Sequence, residues 1–136
     1  MERIIKFRAK AMSEEEWVYG DLIHYNRQRH EKVTIKEFGG FLESDVVEET
    51  VCQFTGLHDK NGKEIYDGDI ICSFDSSGFR ILHKVAYHES EASNVAFLIS
   101  CPFDYCHITQ DWINEFDKEV IGNIYDNPEL LKGGQK

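Results

Sequence analysis

The chain has 136 residues, 41% of them hydrophobic and 29% charged, with a formal charge of −10. That length suits one domain with a real core, and the apolar fraction excludes a wholly disordered chain. The negative charge argues against a general nucleic-acid binder, because a phosphate backbone is repelled before any local contact forms.

Residues 1–10 alternate charge with short apolar pairs, so neither a signal peptide nor a spanning helix is expected there, and a cytoplasmic location is expected. Residues 4–9 then read as a strand with one wet face, Ser13 followed by three glutamates reads as a capped helical turn, and residues 17–22 read as a second strand. Charge is uneven along the chain. Residues 1–36 carry eight Lys or Arg against six Asp or Glu, giving +2, and residues 37–136 carry seven against nineteen, giving −12. Arg27, Arg29 and Lys32, with His24 and His30 beside them, form a candidate interaction surface for an acidic partner; a solvated basic loop is the simpler reading. Residues 33–35 and 41–42 flank Gly39-Gly40 as two short strands meeting at a turn.

From residue 50 the strand signals sharpen. Residues 50–55 read as a strand, and Asp59-Lys60-Asn61-Gly62-Lys63 as a hairpin turn in which Asn61 and Gly62 both tolerate positive φ, before a strand at 64–66. Asp67-Gly68 breaks the chain again, residues 69–74 begin an apolar strand, Ser76-Ser77-Gly78 turns it, and residues 80–87 return. Residues 95–99 make a further strand after a polar turn at 88–94. Trp112, Ile113 and Phe116 fall at helical spacing within residues 109–116, with Asp111 near the start. Residues 119–125 read as a last strand, 129–131 as one turn, and 132–136 as a frayed tail. The pattern predicts a mainly β chain, an antiparallel meander with one short helix.

Three blocks carry a resemblance to a known family. They are Ile5-Lys6-Phe7-Arg8-Ala9; the run from Thr50 through Gly56-Leu57 and Asp59-Lys60-Asn61-Gly62-Lys63-Glu64-Ile65-Tyr66-Asp67-Gly68-Asp69-Ile70; and Ile121-Gly122-Asn123-Ile124-Tyr125-Asp126-Asn127-Pro128-Glu129-Leu130-Leu131. In order and spacing they resemble the YopX family, a group typical of phages and prophages with no agreed activity. The resemblance implies a small β protein whose central part is similar to an SH3-like barrel. With it the expected plan is an N-terminal β-rich arm at 1–49 that serves oligomerisation, a small barrel at 50–131, and a disordered tail at 132–136. Cys52 stands where the family pattern leads us to expect a small residue.

No cofactor is expected. Cys52, Cys72, Cys101 and Cys106 contain no C-x-x-C spacing, so buried reduced thiols are favoured over a zinc site built on Cys101, Cys106 and His107. The 59–64 segment superficially resembles a calcium loop, but its glycine comes at the fourth position and no glutamate closes it. In Tyr66-Asp67-Gly68-Asp69 the two carboxylates invite a metal reading, and turn chemistry accounts for them better. His83 and His88, five apart, are expected on opposite faces of a strand. No nucleophile or phosphate-loop motif is present, so a non-enzymatic protein is expected. Three functional readings follow: a module that self-associates or grips a host or phage protein, with the N-terminal strand as a free pairing edge; a nucleic-acid-binding barrel stacking bases on Phe74, Phe79 and Tyr87; and an acidic mimic of nucleic acid.

Overall fold

The short opening strand β1 (Phe7–Lys10) is paired along both edges: against Trp17 to Gly20 of β2 (Trp17–Arg27) on one side, and through Phe7 and Arg8 against Gln53 and Cys52 of β5 (Cys52–His58) on the other. It is therefore an interior strand and not the free pairing edge expected of it. The computed structural model describes residues 4–13, 15–27, 30–89, 92–115 and 117–132, with Arg27, His30 and Pro102 described by backbone alone. The chain forms two compact units, Met1–Phe54 and Thr55–Lys136.

In the first unit β3 (His30–Lys36) and β4 (Glu43–Asp45) complete an antiparallel order β4-β3-β2-β1-β5. β2 runs five residues beyond the expected strand because Asp21 to Arg27 pair in continuous register with Lys36 to His30. Two of the three basic residues thus lie on strands, Arg27 at the end of β2 opposite His30 and Lys32 within β3 opposite Tyr25, while Arg29 lies outside the described residues. The β-branched run Val33-Thr34-Ile35 explains the extension, since such residues suit a pleated surface and all three are buried. The expected helical turn after Ser13 is a hairpin loop in which the Glu15 N–H donates to Ala11 O at 2.9 Å, with Glu15 in the left-handed region at φ 58°. Ala9, Val33, Ile35 and Val46 form the core, with Phe7, Val18, Leu22 and Val51 against them. Gly20, at φ +154°, lies where a Cβ would meet Lys36 O at 2.0 Å, so this close approach of β2 to β3 requires glycine.

In the second unit β5 continues beside β6 (Glu64–Tyr66). A meander of β7 (Asp69–Phe74), β8 (Arg80–His88), β9 (Ser93–Leu98) and β10 (Cys101–His107) follows. A single helical turn, α1 (Gln110–Asn114), then delivers β11 (Glu119–Asn123) to the far side of β7, giving the antiparallel order β10-β9-β8-β7-β11. Among the described residues the strands form two antiparallel sheets, and no closed barrel is found. β10 was not anticipated. It is an end strand with a bulge between Cys101 and Tyr105. α1 is shorter than expected and is capped by Thr109, whose Oγ1 accepts the Trp112 N–H at 3.1 Å; Phe116 lies outside the described residues. Ile113 is fully buried with Ile65, Ile71, Val85 and Val120, while Ile70, Cys72 and Leu82 form a second cluster. The last strand stops at Asn123, whose Oδ1 accepts the N–H groups of Tyr125 and Asp126, and a 3-10 turn at Pro128–Leu131 follows. Residues 133–136 of the expected tail lie outside the described residues.

Candidate functional site

The family block at 59–69 builds two turns. Asp59 controls the first: its Oδ1 accepts the N–H groups of Asn61 at 2.8 Å and Lys63 at 2.9 Å, and its Oδ2 accepts the N–H of Val120 on β11 at 2.9 Å. Gly62 N–H donates to Asp59 O, Asp59 N–H donates to Lys63 O, and Gly62 alone in this loop is left-handed, at φ 84°. The hairpin turn expected at residues 59–63 is present as a type I turn closed by a glycine bulge, in which Gly62 and not Asn61 takes the positive φ. The β7–β8 turn repeats it. Asp75 Oδ1 accepts from Ser77 and Phe79, each at 2.9 Å, and Gly78 has φ 85°. The shared spacing Asp-x-x-Gly-x was the signal that reading each turn separately missed.

The second turn, Tyr66-Asp67-Gly68-Asp69, is locked from several sides. Asp69, buried to 1% exposure, accepts the Tyr66 N–H at 2.8 Å; Gly68, at φ 86°, donates to Val85 O at 2.8 Å and accepts from Ile124 N–H at 2.9 Å. Asp67 accepts from the Asn94 side-chain amide, and Tyr66 donates its hydroxyl to Glu64. Both carboxylates therefore already accept protein hydrogen bonds. Among the described residues no three His, Cys, Asp or Glu side chains converge as a metal-binding group.

The remaining chemistry-bearing side chains gather near α1. Lys118 is buried, and its ammonium donates to the carbonyls of Trp112 and Glu115, each at 2.9 Å, while standing 4.3 Å from the Trp112 ring centroid. It closes the C-terminal end of α1, where a cation is favoured. Burial lowers its pKa. His83 packs edge-on against Trp112 at 5.2 Å; burial, then the Lys118 charge, depress its pKa to about 4, with Asp104 opposing. Burial raises the Cys106 thiol, which keeps it protonated and weakly nucleophilic. His88, on the opposite face of β8 as expected, stacks instead with Phe97 at 6.1 Å and meets Tyr105 at a tilt at 4.8 Å.

The four cysteines are free thiols, but only Cys52 and Cys72 are buried, and Cys101 is exposed on β10. Cys52 fits its place, at 2% exposure with its thiol donating to Thr50 O. Of the basic residues, Lys32 is an exposed partner of Asp45 at 3.3 Å and lies over the Tyr25 ring; Arg29 and the Arg27 side chain lie outside the described residues. Phe74, Phe79 and Tyr87 are all exposed, but they do not form one platform. Tyr87 lies seven residues along β8 from Arg80, roughly 23 Å at strand rise.

Comparison with known proteins identifies the family of the chain. No helix of the described residues is long and apolar enough to cross a membrane. No curated protein matches the chain. Among solved structures, the crystal structure of protein EF1440 from Enterococcus faecalis is similar, with 26% identity and a TM-score of 0.54, covering 96% of this chain and 100% of that one. The family model described as YopX protein matches residues 6–132, nearly the whole chain. The chain belongs to the YopX family.

Proposed function

We propose that the protein is a non-enzymatic interaction module, an accessory protein of phage or prophage origin that works in the bacterial cytoplasm by self-associating or by holding a host or phage protein. One observation carries this reading: the polar groups of the family block are taken up by turn hydrogen bonds, while large apolar side chains stand in water. Phe41 is 98% exposed, Phe103 92% and Phe79 71%. Ordered turns and an end strand that present such side chains resemble the anchors of protein interfaces more than a catalytic cleft. An SH3-like second unit is part of the proposal, supported by a four-strand meander, one short helix, and a last strand returning beside the first. Sedimentation velocity over a wide concentration range, with cross-linking in the bacterial host, tests it. A strictly monomeric chain that cross-links to no protein overturns it.

A nucleic-acid-binding reading has one observation in its favour. Lys84 lies 5.9 Å over the Phe97 ring, beside the exposed Tyr105, which is a chemistry suited to stacking a base. Quenching of aromatic fluorescence by single-stranded oligonucleotides at low salt distinguishes it.

A further inference from the structure

We propose that the β3–β4 end of the first unit docks a cationic, apolar segment of another protein; this rests on the interaction-module reading and names the partner's chemistry. The turn between β3 and β4 is fixed by three hydrogen bonds, Glu37 N–H to Leu42 O, Gly40 N–H to Glu37 O, and the Lys36 ammonium to Gly40 O, at 3.1 to 3.2 Å. Yet it exposes Phe38 by 49%, Phe41 by 98% and Leu42 by 67%. Nothing lies within 4 Å of where a Cβ on Gly39 would sit, so the turn has open space at its tip. Together the three side chains offer on the order of 400 Å² of apolar surface, the size at which a patch on a monomer is often functional. An apolar turn that is ordered and projecting has already met the entropy cost that a flexible one meets on binding.

The surface beside it sets the partner's charge. Leu42 leads directly into Glu43, which with Met12 and Asp45 lines a groove along β4. Met12 and Asp45 also line a larger adjoining groove of about 540 Å³, with the apolar Val47 and the carboxylates of Glu31, Glu48 and Glu49. Lys32 lies there too, held at 3.3 Å from Asp45, so the described lining residues of the larger groove are net negative. Met12 is 64% exposed and Glu31, Glu48 and Glu49 face water. A second copy would bring Glu37 and Glu43, which flank the apolar turn and outnumber Lys36 there, against this acidic rim, and like charges at an interface oppose docking. Lysine or arginine interleaved with apolar side chains meets both requirements at once.

The probe is a synthetic peptide of alternating leucine and lysine, with its leucine and glutamate counterpart as control, titrated into the isotopically labelled full chain and followed by NMR. The expected result is salt-sensitive binding of the lysine peptide, with shifts at Met12, Phe41, Asp45 and Glu48 and none from the glutamate peptide. Phe41→Ser with Leu42→Ser should weaken binding about tenfold, as loss of an apolar anchor does. Glu48→Gln with Glu49→Gln should weaken it and flatten the salt dependence. These side chains are solvent-facing, and unchanged backbone spectra establish that the variants fold. Binding unaffected by both double variants, equal binding of the glutamate peptide, or shifts confined elsewhere overturns the proposal. Self-association of the free chain that Phe41→Ser abolishes makes a second copy the occupant; it overturns the cationic partner while leaving the interaction module standing.

Discussion

Acidification acts directly on the packing of His83. The ring lies against Trp112 beside the buried Lys118, its Nδ1 is buried with no hydrogen-bond partner among the described residues, and its pKa is held down to about 4. An unfolded histidine titrates near 6.5. As pH falls the unfolded chain takes up the proton first, so the stability contributed by the neutral ring is complete above about 6.5 and is lost progressively toward about 4. At about 1.4 kcal/mol per pH unit the difference approaches 3 kcal/mol, and partial solvation of the ring reduces it to roughly 2 kcal/mol. Urea melts of the wild type and of His83→Phe at stepped pH values between about 7 and about 4 isolate the effect. Phenylalanine cannot titrate, and the carboxylates that also respond in this range are common to both proteins. The wild type should lose about 2 kcal/mol more than the variant across that window. Parallel curves would refute the account of a neutral histidine held by its burial.

Asp59→Ala removes the acceptor of three backbone N–H groups at a buried site and should cost about 2 to 4 kcal/mol, against less than about 1 kcal/mol for Asp75→Ala in the matching exposed turn; denaturant midpoints compare them. Gly20→Ala drives a methyl group into Lys36 O and should cost at least about 2 kcal/mol, read as loss of hydrogen-exchange protection across β2 and β3. Gly68→Val should lower the midpoint far more than Lys63→Ala, because Gly68 alone of the two is left-handed; equal midpoints would count against the turn. The purified chain should hold neither zinc nor calcium stoichiometrically by elemental analysis, and one tightly held zinc lost when Cys101 and Cys106 become serine would overturn that expectation.

Local chemistry made much of this fold legible. The Asp-x-x-Gly turns at 59–62 and 75–78 mark hairpins wherever they occur, and the β-branched and aromatic runs between them have few alternatives to strand. β10 was missed because Pro102 and Asp104 weaken a strand signal that an end strand tolerates. The interior position of β1 was missed for a different reason: which strand covers an edge is a long-range fact, and no residue in 7–10 announces residues 52–53 as neighbours. The surface was the least legible part. Phe41-Leu42 is apolar and so reads as strand, yet the strand is Glu43–Asp45 and the two side chains before it are in water. Lys118 reads as a surface charge and is buried, because the carbonyls it answers belong to α1.

The double pairing of β1 bears on how the chain folds as it is made. Phe7 must wait for Gln53 before its second edge is covered, and Asp69 must likewise wait for Asn123. Each unit is completed by a strand that returns to one formed much earlier, so loop closure over dozens of residues precedes the reward of pairing. Refolding should therefore be slow for the chain's size, on the scale of milliseconds to seconds. During that interval β1 and β7 each carry an uncovered edge, and the charges of Lys6 beside β1 and of Arg8 and Lys10 within it disfavour pairing of that edge with another chain.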